Sequence, residues 1–162
     1  MTLVEKIAVV FSVEPVPKEP LVEPAYLDPA NQGDDGATEY FSGKRWNTLE
    51  VAKLRYHSDA MFMFTPEVHR YYLSAFMTAS LTHPHEADDI PDKILFHFMS
   101  HDEPFWNERI EVLAPSQREV VASFLRAVAD PQIDGASLNA ALEGLPQVRQ
   151  MPNTSLERTR DR

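Results

Sequence analysis

A chain of 162 residues is long enough for one domain with a real core and too short for two of ordinary size. Hydrophobic residues make up 43% of it, yet no apolar run approaches the roughly 18 residues that span a bilayer, and the absence of cysteine removes disulfides, thiolate zinc sites and thiol nucleophiles together. Fifteen Lys and Arg against 25 Asp and Glu give a net charge of -10, a field that repels nucleic acid and anionic lipid and attracts basic partners.

Thr2 and Glu5 have the spacing of a capping box, and Leu3, Ile7, Val10 and Phe11 follow on one helical face, which predicts a first helix over Leu3–Ser12. Glu5 and Lys6 precede its five-residue apolar run and no small-residue cleavage site follows, so it does not read as a signal peptide, and the cytoplasm is the expected compartment. Pro15, Pro17, Pro20, Pro24 and Pro29 then forbid a continuous helix. The apolar residues among them, Val16, Leu21, Val22, Tyr26 and Leu27, predict an extended arm laid across the domain. Asn31–Gly36 reads as a turn, and residues 39–43 lead onward with Gly43 as a turn residue.

The stretch Lys44–Leu81 predicts two packed helices around which the rest is organised. Trp46, Leu49, Ala52, Tyr56, Ala60 and Met63 form one apolar stripe. Thr65-Pro66-Glu67 restarts the chain: Thr65 can cap, Pro66 suits the first helical position and Glu67 suits the positive end of the dipole. Val68, Tyr72, Ala75, Phe76 and Ala79, flanked by Leu73, Met77 and Leu81, leave so little polar surface that this helix is expected at the centre. A loop is expected through residues 82–91. Asp92–Ser100 fits a helix, although Ile94, Phe96 and Phe98 also alternate as a strand would. Residues 103–113 read as a loop with one helical turn holding Phe105 and Trp106. Ser116 and Glu119 suggest a second capping box before the stripe Val120, Val121, Phe124, Leu125 and Val128, which Asp130-Pro131 ends. A short helix over 137–142 and a polar, disordered tail over 149–162 complete the reading. The expected fold is all-α: a compact single-domain helical bundle over 1–148 with a Pro-rich extended arm and long loops.

Between Phe41 and Met77 the order F-x-G-K-x-W-x-x-L, L-R-x-H and T-P-E-x-x-R-Y-Y-L-x-A-F-M resembles a family of small bacterial proteins of unknown function. It is carried here by Phe41, Gly43, Lys44, Trp46, Leu49, Leu54, Arg55, His57 and residues 65–77, and it reaches from Ile7 and Phe11 to Gln117, Phe124 and Leu125. Ser74 stands where the pattern has a proline, which implies a changed helix kink. The resemblance implies a fold and no catalytic residue.

Three groups of side chains could carry chemistry. Leu81–Asp89, LTHPHEADD, resembles the H-x-H-x-D-H metal motif of metallo-β-lactamase-like hydrolases, but its fifth position is Ala87 and no third histidine follows. His83 and His85, with the spaced pair His97 and His101, remain a possible metal set, although Phe98 stands where a H-E-x-x-H site has its glutamate. His57 and His69 could meet across the two central helices, where a buried network fixing helix register explains them better than acid-base chemistry. Arg70, Tyr71 and Tyr72 read as helix packing, with Arg70 paired to an acid. No phosphate loop, nucleophile elbow or dinucleotide motif occurs, and no cofactor is expected.

Charge is the more informative signal. Residues 149–162 hold four Arg and two acids, so the remaining 148 residues carry a net charge of -12, and residues 82–111 alone hold eight acids against Lys93 and Arg109. With Tyr26, Tyr40, Phe105 and Trp106 beside the acidic segments, the expectation is a non-catalytic protein that binds a basic protein partner, as an immunity or inhibitor protein does when it blocks a toxin. The expected contact residues are Glu86, Asp88, Asp89, Asp102, Glu103, Phe105 and Trp106. The alternative is a metal-dependent hydrolase using His83, His85, His97 or His101.

Overall fold

Thirteen prolines punctuate this chain, and five of its α-helices begin on one. Pro lacks the N–H that a first helical residue cannot use, and its fixed φ suits that position. A computed structural model describes residues 1–31 and 33–145. Among them are nine α-helices and no strand: α1 (Leu3–Val10), α2 (Ala37–Phe41), α3 (Val51–Tyr56), α4 (Pro66–Thr82), α5 (Pro84–Ala87), α6 (Ile90–Met99), α7 (Pro104–Glu111), α8 (Pro115–Val128) and α9 (Pro131–Glu143). The chain is all-α, and the expected tail over 149–162 lies outside the described residues.

α4 is the axis of the fold. Val68, Tyr72, Leu73, Phe76 and Met77 are all buried on it, and α1, α3, α5, α6, α7 and α8 pack around it. Its small residues Ser74, Ala75, Ala79 and Ser80 are also buried and let neighbours approach. The serines cost little there, because Ser74 Oγ donates to the Tyr71 carbonyl and Ser80 Oγ to that of Phe76. α4 runs unbroken through Ser74. Pro66 and Glu67 sit in its first turn as expected, but the Thr65 side chain makes no capping hydrogen bond.

The helix expected from Trp46 to Met63 is instead three pieces: a 3-10 turn over Trp46–Thr48, α3, and a second 3-10 turn over Ser58–Phe62. Tertiary hydrogen bonds hold the start of this segment. The Trp46 N–H donates to the Tyr71 hydroxyl, and the Tyr72 hydroxyl lies 2.7 Å from the Phe41 carbonyl and 2.8 Å from that of Lys44. A 3-10 turn repeats every three residues rather than 3.6, so the stripe loses register, and Tyr56, expected inside, is 75% exposed.

The N-terminal capping box is present: Glu5 N–H donates to Thr2 Oγ1 and Thr2 N–H to Glu5 Oε2. From α1 the arm crosses the core as expected. Leu21 and Val22 are fully buried, and the arm pairs with the segment before α4, Glu23 N–H donating to the Met63 carbonyl and Thr65 N–H to that of Leu21. Leu27, expected against the core, is half exposed. In the Asn31–Gly36 turn, the Asp34 carboxylate accepts from the Gly36 and Thr38 N–H groups and so starts α2.

The C-terminal half is more helical than its sequence suggests. Residues 104–111, expected as a loop with one turn, form α7, and the loop expected over 82–91 holds α5 and the start of α6. α6 settles the strand-or-helix ambiguity as a helix, with Ile94, Leu95, His97 and Phe98 inward. α8 begins one residue earlier than expected, and its cap is Gln117 Oε1 accepting from the Ala114 N–H, not a Ser116/Glu119 box. Asp130-Pro131 ends α8 and also starts α9, because the Asp130 carboxylate accepts from the Gln132 N–H. α9 packs along α6. At its end Gly144 lies so close to His101 that a Cβ there would come within 2.7 Å of the ring.

Candidate interaction surface over a buried histidine pair

The acidic run of residues 82–111 is displayed along α5, the α5–α6 corner, α6, and the turn into α7. Glu86 is exposed on α5. Asp88, in left-handed backbone with φ 52°, places its carboxylate 2.6 Å from Arg55 and so ties the corner to α3. Asp89 lies 3.4 Å from Lys93, whose ammonium also reaches Asp59 at 2.8 Å and Ser58 Oγ at 2.6 Å. Asp102 and Glu103 are exposed in the α6–α7 turn, with Asp102 3.5 Å from His101 Nε2.

The expected aromatic contacts are turned inward. Trp106 is 5% exposed, and the Phe105 ring is covered by the Arg109 guanidinium at 3.4 Å. The outward aromatic is Phe96, 50% exposed on α6. Positions 89, 92, 93 and 96 share the outer face of that helix by three- and four-residue spacing. Phe96 contacts Phe62 at 6.2 Å, and Phe62 meets Trp106 at 5.6 Å, so a row of rings runs from surface to core. The contact residues expected from the sequence include neither Phe62 nor Phe96. The signal was available: once 92–100 is a helix, burying 94, 95 and 98 turns 96 outward.

Beneath the row lies a buried polar cluster. His69 of α4 and His97 of α6, each 2% exposed, share one hydrogen bond, Nε2 of His69 to Nδ1 of His97 at 3.2 Å. Trp106 stacks on His97 at 4.1 Å and Phe62 meets its ring edge-on at 4.5 Å. The outer nitrogens, His69 Nδ1 and His97 Nε2, have no hydrogen-bond partner among the described residues. Burial, with Arg109 adding to it, pushes the His69 pKa down to about 3. Burial, then His69, Arg109 and Lys93, lowers that of His97 well below the usual histidine value. Both rings are therefore neutral at pH 7. Arg109, 1% exposed, pairs with Glu23 of the arm at 2.8 Å and donates to the carbonyls of Phe64 and Phe105. The cluster joins the arm, α4, α6 and α7. With both rings buried and, among the described residues, no carboxylate hydrogen-bonded to either, it is built to fix register.

The remaining candidates separate. His57 does not meet His69; it stacks on Tyr40 at 4.8 Å. Arg70 pairs with Glu67 and donates to the Val112 carbonyl, the packing role expected of it. His83 and His85 are exposed around α5, whereas His97 is buried. Among the described residues no three His, Asp or Glu side chains are grouped to hold a metal ion. No helix of the described residues is long and apolar enough to cross a membrane.

A protein-family model described as a family of unknown function, DUF6714, matches residues 25–146, about three quarters of the chain. The chain belongs to that family. No curated protein and no solved structure matches it. The DUF6714 segment contains the whole acidic face, the ring row and the histidine pair. It leaves out α1 and Glu23, although the resemblance seen in the sequence reached back to Ile7 and Phe11.

Proposed function

We propose that this DUF6714 chain is a non-catalytic, acidic protein-binding protein of the bacterial cytoplasm, an immunity or inhibitor protein that works by occluding a basic toxin or enzyme. One observation carries the reading. The two cations of residues 82–111 are both withdrawn from the surface: Lys93 is engaged by Asp59 and Asp89, and Arg109 is buried against Glu23. What that segment offers to solvent is therefore carboxylate, with Glu86, Asp92 and Glu103 carrying no ion pair among the described residues. Such a face steers a basic partner in and takes the place of its anionic substrate, and the association weakens as salt screens it.

The test is a tagged pull-down from native lysate at low and then high salt, with the bound proteins identified by mass. A stoichiometric basic partner that elutes as salt rises, and that a Glu86→Lys/Glu103→Lys variant no longer retains, is the expected result. Recovery of no basic partner, or equal retention by that variant, would sink the reading.

A further inference from the structure

The acidic face has a specific anchoring point. Resting on the binding role proposed above, we infer that the Phe96–Phe62 ring pair takes a lysine or arginine side chain of the basic partner over the exposed face of Phe96, with Asp92 and Asp59 completing its ion pairs.

Two parallel rungs define the place. Lys93 and Phe96 lie one turn apart on α6, while Asp59 and Phe62 lie three apart on the 58–62 turn, where that spacing eclipses side chains. Lys93 reaches Asp59 at 2.8 Å and Phe96 reaches Phe62 at 6.2 Å, so the ion pair and the ring pair sit side by side. Lys93 is only 23% exposed, whereas the Asp59 carboxylate is 71% exposed and keeps room for a second cation. Asp92, one helical turn before Phe96, is exposed and has no ion pair among the described residues. One Lys against Asp59, Asp89 and Asp92 leaves a net charge of -2 around a half-exposed phenyl ring.

Charge complementarity selects the occupant. An apolar partner would strand those carboxylates against hydrocarbon. A second acidic copy would face like charge. A cationic side chain satisfies both, since a phenyl face attracts a cation within about 6 Å and the carboxylates receive its N–H groups. The ring behind Phe96 is fixed in place: Phe62 is held against His97 and Trp106 and gives Phe96 a steady backing.

The probe is octa-arginine, titrated into the full chain at low salt while the phenylalanine ring resonances are followed by NMR. The Phe96 and Phe62 rings are expected to shift most. Asp92→Asn and Phe96→Leu should each weaken binding about threefold, the size of an exposed cation–π or ion-pair contribution, while Glu119→Gln on α8, with the same change of charge, should not. Binding that shifts all acidic regions evenly, or that Asp92→Asn weakens no more than Glu119→Gln, overturns the anchor and leaves the binding role standing. No binding at all overturns both. Ring shifts that depend on protein concentration without peptide would assign the face to a second copy and overturn the anchor as well.

Discussion

Acidification tests the buried histidine pair most directly. His69 has a pKa near 3 in the folded chain, against about 6.5 when unfolded. Below pH 6.5 the unfolded chain thus binds a proton that the folded chain refuses. Stability rises with pH wherever the unfolded state binds more protons. The contribution is therefore fully present above about pH 6.5, falls as the pH drops from 6.5 toward 3, and changes no further below that. At pH 4 the deficit spans about 2.5 pH units, or about 3 kcal/mol from His69 alone at about 1.4 kcal/mol per unit. His97 acts in the same direction. The perturbation is His69→Gln, whose side-chain amide reproduces the nitrogen that faces His97 and does not titrate. Urea unfolding followed by circular dichroism at pH 7, 5 and 4 gives the slope for each protein. Carboxylates are common to both and cancel in the difference. The variant is expected to start less stable and to lose about 3 kcal/mol less than wild type between pH 7 and 4. Equal losses would show that His69 titrates normally and would refute its placement in a buried cluster.

Three further outcomes follow from packing. Arg109→Ala removes the partner of Glu23 and the donor to two carbonyls; a loss of about 3–5 kcal/mol is expected in urea unfolding, as for other broken buried pairs, and a loss below about 1 kcal/mol would contradict the geometry. Gly144→Ala pushes a methyl group into the His101 ring, so thermal unfolding should show about 1–3 kcal/mol of destabilisation, and an unchanged melting temperature would mean that α9 does not close on the end of α6 as described. Tyr56→Ser lies on a 75% exposed residue and should change stability by no more than about 0.5 kcal/mol, whereas a buried stripe position in one long helix would cost several times more.

The fold was legible where local chemistry and tertiary demand agree. α1 shows its capping box and its face, and α4 shows its proline, its first-turn acid and a broad apolar stripe, so both were readable. Between Trp46 and Met63 they disagree. The stripe favours one helix, but the chain enters the segment held by the Tyr71 and Tyr72 hydroxyls, 25 to 31 residues away, and passes through two 3-10 turns on either side of α3. No periodicity in the segment itself could carry that information. α7 was hidden for another reason: four of its eight residues are polar or charged, and its most buried side chain is Arg109, which a hydrophobic pattern discards.

The same residue links the legible and the illegible parts of the candidate surface. Counting charge located the acidic segment and its two cations but could not say which way those cations point. Lys93 and Arg109 read from the sequence as partial neutralisers of the face; in the fold one is drawn under Asp59 and Asp89 and the other into the core against Glu23. That inward turn makes the outer side of α5 to α7 more acidic than its composition. It also couples the face to the arm, because the Glu23–Arg109 pair holds α7 beside Phe64, and α7 in turn carries Trp106 beneath Phe62. The arm, which lies outside the acidic segment, is thereby one of the supports on which the ring row rests.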